Sequence, residues 1–372
     1  MLVTCLRLRD FRSYERADVE LGPGLTVVHG RNGAGKTNLL EALYFGCTGR
    51  SCRTSNEREV VRFEGATARV EVDLRDAEGR AHALAVGFAP GDTKRLQADG
   101  VLVERLVDVE MRPLVCVFMP DRLELVKGPP ALRRSHIDQV IAASWPVRSA
   151  TRRAYGRALA QRNALLAGIR GGRTGRTSRD SLPAWDAELA RHGIALRDDR
   201  AAVVDLLAPR FTALAEALGL GAGGELRYRP RTRAVDAAQL AAELAERVDS
   251  DLERGFTGHG PHRDDVALLR DGRELRAYGS QGEQRLALLS LLLAERDALA
   301  AARSTLPLML LDDVMSELDP DRRAMLADLL RGAGQSVITT TDLAHVPGAT
   351  APNVRRLAVA GGAVLRGAAA AA

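Results

Sequence analysis

Leu25-Thr-Val-Val-His-Gly30-Arg-Asn-Gly-Ala-Gly35-Lys36-Thr37-Asn-Leu-Leu40 joins three local signals in sixteen residues. The apolar run Leu25 to Val28 reads as a buried strand. Leu39, Leu40, Leu43 and Tyr44 then recur at helical spacing. Between them stands Gly30-x-x-x-x-Gly35-Lys36-Thr37, the glycine loop that turns backbone N–H groups toward phosphate oxygens at the positive end of a helix. In such a loop Lys36 reaches the β- and γ-phosphates and the Thr37 hydroxyl binds Mg²⁺. Lys36 is one of only three lysines, beside fifty arginines, which makes a chance match rare.

The chain has 372 residues, 46% apolar and 27% charged, the balance of a globular protein large enough for two or three domains. No apolar run approaches the ~20 residues that span a bilayer, and the N-terminus, with Arg7, Arg9 and Asp10, does not read as a signal peptide. A cytoplasmic location is expected. Cys5, Cys47, Cys52 and Cys116 form no Cys-x-x-Cys pair, so neither a zinc ribbon nor a disulfide framework is implied. The net charge of +5 permits a nucleic-acid partner without requiring one. Its distribution says more: from Gln139 to Arg179 there are nine arginines and not one Asp or Glu. Arg148, Arg152, Arg153, Arg157 and Arg162 are therefore candidate phosphate contacts of a sequence-independent, salt-sensitive kind. A solvated face in an arginine-rich chain is the plainer alternative.

A first strand through Leu6 and Leu8 ends at Phe11-Arg12-Ser13-Tyr14. Period-two alternation from Ala68 to Leu102, with turns at Glu78-Gly79 and Asp99-Gly100, predicts an antiparallel meander. Leu114 to Phe118 reads as a strand buried on both faces. The segment from Pro120 to Arg254 reads as helical. It contains a linker at Gly171 to Asp180, a long helix from Trp185 to Leu218 kinked near Pro209, and a further helix through Leu240 and Leu252. Asp271-Gly272 signals a hairpin, Gly279-Ser280 starts a helix, and Asp319-Pro320 starts another. Val337-Ile-Thr339 is a short strand, Leu357 to Leu365 a terminal hairpin, and Ala368 to Ala372 a tail. Three segments follow: 1–119 and 255–372 as two parts of one head, and 120–254 as a helical insertion lobe.

Leu308-Met-Leu-Leu-Asp312-Asp313 places acids at the carboxyl end of a buried strand, where α/β sheets keep their ligand crevice. Asp312 is suited to hold Mg²⁺ and Asp313 to orient an attacking water. Gly279-Ser280-Gln-Gly282-Glu283 opens a helix; Ser280-x-x-Glu283 is an ordinary capping box, and the same helix start is a phosphate binder. His259 and His262 flank Gly260-Pro261 with no third ligand evident, so they read as turn residues rather than a metal site.

Ser280 and Gly282 match the signature of ATP-binding-cassette ATPases, and Ser316-Glu317-Leu318-Asp319 matches their dimer-contact loop. With Phe11-Arg-Ser-Tyr14, Pro120-Asp121 through Gly128 to Arg133-Arg134, and Gly260-Pro-His-Arg-Asp264, the chain resembles the RecF family end to end, relatives of the heads of SMC-type proteins. Pro129 and Arg122 depart from the usual residues. Thr340-Thr341-Asp342 stands where transporter ATPases carry a switch-loop His, Asp313 replaces the transporter Glu, and no glutamine is assigned to the Q-loop.

The resemblance implies an α/β fold: an ABC-type P-loop ATPase head, with a mixed sheet and an antiparallel β subdomain, carrying an inserted helical lobe. It implies ATP and Mg²⁺ as cofactors. Arg12, Gly30, Asn32, Gly33, Gly35, Lys36, Thr37, Asn38 and Gly282 are the implied nucleotide contacts, and Lys36, Asp312, Asp313 and Ser280 the catalytic set, with Thr37 and Asp312 on the metal. Ser280 would act on the nucleotide of a second copy in an ATP-dependent homodimer that clamps duplex DNA or a single-strand/double-strand junction, with RecO and RecR as partners in loading RecA. A membrane-transporter ATPase is disfavoured by the missing switch His and the arginine-rich insertion, and a structural SMC-like tether by the absence of sustained heptads.

Overall fold

The computed structural model describes residues 1–172, 179–332 and 334–365. Most of the expected linker and the alanine tail fall outside them. Two compact units emerge, one of Met1–Arg122 with Leu299–Ala372 and one of Leu123–Ala298.

In chain order the first strands are β1 (Leu2–Phe11), β2 (Tyr14–Glu20), β3 (Leu25–His29), β4 (Ala68–Arg75), β5 (Ala81–Phe88), β6 (Arg95–Ala98), β7 (Val101–Leu102) and β8 (Val115–Phe118). There follow β9 (Gly224–Arg229), β10 (Asp265–Arg270), β11 (Arg273–Glu274), β12 (Leu308–Leu311), β13 (Ser336–Thr340), β14 (Arg355–Ala360) and β15 (Ala363–Leu365). The first unit holds two six-stranded sheets. One is antiparallel, in the order β2-β1-β4-β5-β6-β7; the other is mixed, in the order β15-β14-β3-β13-β12-β8, and parallel from β14 through β8. β12 is buried at every position, and β3 at all but its last, as strands covered on both faces must be. The helix Lys36–Thr48 buries Leu39, Leu40, Leu43 and Phe45 in a core shared with Val70 and Val72 of β4.

The hairpin signals sit where the sequence places them. Asp99 and Gly100, with φ of 48° and 79°, connect β6 to β7, and Asp271 and Gly272, with φ of 50° and 76°, connect β10 to β11. Gln335 joins the two sheets from the residue before β13: its Oε1 accepts from Val3 N–H at 2.9 Å, and its Nε2 donates to the Val3 and Gly22 carbonyls at 2.7 Å each.

The second unit carries helices Pro130–Ser144, Ser149–Arg170, Leu182–Ala217, Ala237–Ala245 and Val248–Arg254, together with the antiparallel sheet β11-β10-β9. Pro209 lies inside the long helix. Two expectations change. The segment 120–254 is not wholly helical: β9 pairs along its full length with β10, so residues 255–298 join the helices in one unit. The helix through Leu240 and Leu252 is two helices, separated at Glu246 and Arg247. The second of them brings the buried Asp251 carboxylate to Arg162 at 2.7 Å.

Arg162 is fully buried; its guanidinium holds Asp186 at 2.6 Å and Asp251 at 2.7 Å and donates to Thr257 Oγ1 at 2.8 Å. Deleting the cation strands two carboxylates away from water. Arg162→Met is expected to destabilise the fold by about 3–5 kcal/mol in urea denaturation.

Candidate functional site

β3 ends at His29 and the chain turns at once into the glycine loop. A Cβ on Gly30 would overlap the Val359 carbonyl oxygen of β14, and Gly35, at φ 112°, backs onto Ser13 and Tyr14. Tyr14, wholly buried, donates its hydroxyl to the Gly35 carbonyl at 3.0 Å. Asn32 and Gly33 form the exposed tip. The following helix starts on Gly35, with no side chain capping it and no acid of its own in its first turn, so the helix itself supplies no negative charge to its N-terminal dipole. The Lys36 ammonium bends back over the loop and donates to the Gly30 carbonyl at 2.8 Å and the Arg31 carbonyl at 3.0 Å.

Thr37, one residue on, meets Asp312 from the end of β12. Its Oγ1 lies 3.0 and 2.8 Å from the two carboxylate oxygens. Asp312 receives a second hydroxyl, from Thr339 of β13, at 2.7 Å. Burial is the main cause of a raised Asp312 pKa, and the neighbouring Asp313 adds to it, while the two threonine hydroxyls and Arg53 oppose the rise. A neutral hydroxyl beside a carboxylate is an all-oxygen donor pair of the kind Mg²⁺ uses when nucleotide phosphates and water complete its shell. Among the described residues no group of three or more His, Cys, Asp or Glu could hold a metal ion by itself. Asp313 follows at φ 47°, and Ser316 Oγ donates to its carbonyl at 2.9 Å.

Arg12 and Asn38 take part in a network that sequence reasoning did not anticipate. Its centre is Glu41, fully buried on the Lys36–Thr48 helix. Arg12 grips it with two prongs at 2.9 and 2.7 Å, Ser51 Oγ donates at 2.6 Å, and Arg53 Nη1 at 3.1 Å. Arg53 also reaches Asn38 Oδ1 at 3.0 Å, and Asn38 Nδ2 donates to Ser13 Oγ at 2.9 Å. A lone acid within the apolar run Leu39 to Phe45 was the available signal, since a buried carboxylate needs a cation.

Ser280 and Gly282 belong to the second unit and are both exposed. Ser280 and Glu283 form a reciprocal capping box: Ser280 N–H donates to Glu283 Oε2 at 2.7 Å and Glu283 N–H to Ser280 Oγ at 3.3 Å. The Ser280 hydroxyl oxygen accepts in this arrangement, which leaves its proton for an external acceptor.

The arginine field divides in three dimensions. Arg162 is removed from the candidate DNA contacts, because its guanidinium is sealed in the interior on Asp186 and Asp251. Arg148 stacks on Trp145, 4.3 Å from the ring centre, and pairs with Asp199 at 3.2 Å; Arg152 pairs with Asp138 at 3.1 Å. Arg153 and Arg157 are exposed one helical turn apart. The acids missing from the local sequence thus arrive from elsewhere in the chain.

The end of the Gly260-Pro-His-Arg-Asp264 turn and the residue after it meet Arg133 and Arg134. Arg133 grips Asp265 at 2.8 and 3.0 Å, and Arg134 donates to the Asp264 carbonyl at 2.6 Å. His259 Nε2 contacts Glu243 at 2.5 Å, while His262 contacts Tyr155 OH at 2.7 Å and the Thr257 carbonyl at 3.0 Å.

A mixed sheet with a phosphate loop at the end of one parallel strand and an acid pair at the end of another, joined to an antiparallel sheet, defines a P-loop ATPase head of the ATP-binding-cassette and SMC type. A sequence profile described as an AAA domain matches residues 5–111. The chain is 41% identical to the DNA replication and repair protein RecF of Myxococcus xanthus strain DK1622, covering 98% of this chain and 97% of that one. It is 40% identical to the RecF of Anaeromyxobacter sp. strain Fw109-5, covering 98% and 99%. The chain belongs to the RecF family. The solved structure of the recombination mediator protein RecF-ATP superposes with a TM-score of 0.84 at 26% identity, over 98% of this chain and 97% of that one. An SMC head bound to the C-winged helix domain of ScpA, at 16% identity and a TM-score of 0.58, shares the fold.

Burial, with help from Arg263 and Arg134, pushes the His262 pKa down to about 4, and the Thr257 carbonyl only partly opposes this. The unfolded chain therefore takes up the proton first. As pH falls from about 6.5 to 4, stability should drop by up to roughly 3 kcal/mol through this group. His262→Gln should flatten that part of the stability–pH curve measured by chemical denaturation.

Proposed function

We propose that this protein is an ATP-dependent DNA-binding clamp of recombinational repair. The observation that carries the reading is the junction of Thr37 with Asp312 from opposite ends of the chain, which supports a nucleotide and Mg²⁺ site there. ATP is supported by the relative whose structure is that of RecF-ATP, and DNA by the replication and repair role in the names of the relatives.

The glycine loop from Gly30 to Gly35, with Asn32 and Gly33 at its tip, wraps the phosphates, and Lys36 exchanges its two carbonyl partners for β- and γ-phosphate oxygens. Thr37 and Asp312 would hold the Mg²⁺, which would neutralise phosphate charge. Arg12 and Asn38 line the same end of the helix, Arg12 braced by Glu41 directly and Asn38 through Arg53. Asp313 orients the attacking water. Ser280, with Gly282 leaving room beside it, closes over the γ-phosphate of a second copy, so that ATP joins two heads around duplex DNA or a single-strand/double-strand junction. Slow, DNA-stimulated hydrolysis then resets the clamp. RecO and RecR are the partners the family implies in loading RecA. Thr340-Thr341-Asp342 in place of a switch-loop His weighs against a transporter ATPase, and among the described residues no helix is long and apolar enough to cross a membrane.

Light scattering with and without ATP tests the composite site. Asp313→Asn is expected to accumulate an ATP-bound dimer on DNA; Ser280→Arg is expected to bind ATP and stay monomeric, and normal dimerisation of that variant would remove Ser280 from the site.

Arg153 and Arg157 bind the DNA phosphates in this reading, with Arg148 and Arg152 contributing through the part of their charge not committed to Asp199 and Asp138. The double variant Arg153→Gln/Arg157→Gln should reduce the slope of log K against log salt on duplex DNA by about 2, close to 0.9 for each phosphate that is no longer neutralised. An unchanged slope returns both residues to the solvated-face reading.

A further inference from the structure

Thr339 is wholly buried on β13 and lies between the two acids of the β12 end. Its hydroxyl oxygen accepts from the Asp313 N–H at 2.9 Å and lies 2.7 Å from Asp312 Oδ1. A hydroxyl has a single proton, and with Asp313 N–H on a lone pair that proton must point to Asp312. One side chain thereby ties the carboxylate of one acid to the backbone of the next.

The tie falls where the backbone most needs it. Asp313 sits at φ 47°, in the left-handed region that a non-glycine residue keeps only when its surroundings hold it there. Among the described residues its buried Oδ1 has no hydrogen-bond partner, so no direct bond to that oxygen sets where the carboxylate points. The backbone turn does, and Thr339 on the Asp313 N–H holds that turn together with Ser316 on its carbonyl. The next residue, Thr340, accepts the Gly30 N–H of the phosphate loop at 3.3 Å. The end of β13 thus touches the loop through one residue and the acid pair through the one before it.

We propose that Thr339 is a positioning residue for hydrolysis: its hydroxyl sets the aim of Asp313 and the orientation of Asp312 relative to the phosphate loop. This rests on the ATPase reading above. The Lys36 contacts do not involve Thr339, and Thr37 also bonds Asp312 Oδ2, the oxygen that Thr339 does not touch, so nucleotide binding and turnover should separate when the hydroxyl is removed. Valine keeps the shape of threonine and removes the tie; serine keeps the tie and removes a methyl group.

The test uses the full chain as wild type, Thr339→Val, Thr339→Ser and Lys36→Ala. It compares steady-state ATP turnover, direct binding of a fluorescent ATP analogue, and hydrogen exchange of the peptide carrying residues 312–318. Thr339→Val is expected to lose about 100-fold in kcat, the scale of a misaligned reacting group, with faster exchange at that peptide. Its analogue Kd and ATP KM should stay within about threefold of wild type, and Thr339→Ser should recover kcat to within about threefold. The proposal is overturned if Thr339→Val turns over like wild type, if Thr339→Ser is as impaired as Thr339→Val, or if the loss lies in Kd and KM alone. If Thr339→Val does not fold, Thr339→Cys, whose thiol is a poor donor, is judged by the same criteria. A Lys36→Ala protein that hydrolyses ATP like wild type would sink the ATPase reading itself, which no Thr339 result can do.

Discussion

The contact between the Thr37 hydroxyl and the Asp312 carboxylate joins residues 275 apart in sequence, and the first unit is arranged so that it can form. Parallel pairing of β3 with β13, and of β13 with β12, aligns the carboxyl ends of the three strands. The glycine loop, the Thr339–Thr340 pair and the two acids are then neighbours by register alone. Parallel strands cannot be joined by a tight turn, so every link between them is a long crossover. Between β8 and its parallel neighbour β12 that crossover is the entire second unit. A sheet that requires a long connection at this point tolerates a lobe there, whatever its length.

Buried ion pairs hold several of the charged side chains that have left water. Glu41 with Arg12 and Arg53, Arg162 with Asp186 and Asp251, Arg200 with Asp138 and Arg133 with Asp265 share one chemistry. In each a guanidinium meets carboxylate with several directed hydrogen bonds, which an ammonium could not match. The arginine bias of the composition is thus partly structural. It also explains why a run of arginines with no local acid is not a uniform basic surface: Asp138, Asp186, Asp199 and Asp251 supply the counter-charges from other helices.

Local patterns carried much of the fold. The glycine loop, the buried run before Asp312, the Asp-Gly and Gly-Gly hairpins and the Asp319 cap each act through neighbours a few residues away, and each stands where the pattern places it. The expected nucleotide contacts from Gly30 to Asn38 are contiguous, so one loop brings them together. β9 was hidden inside a helical stretch because its six residues find their partner in β10, beyond two intervening helices. The roles of Glu41, Gln335 and Thr339 are hidden for the same reason, since nothing near them in the chain shows what they bind.

The sequence by itself determined the local motifs: a glycine loop between strand and helix, an acid pair ending a buried strand, and a serine opening a helix, because each is formed by residues adjacent in the chain. Tertiary structure alone decided which charges remain for a partner. It sealed Arg162 inside, left Arg153 and Arg157 exposed, and put the Thr339 hydroxyl between Asp312 and Asp313. Burial and pairing depend on distances between segments that chain order does not specify, and strand register and helix packing set those distances.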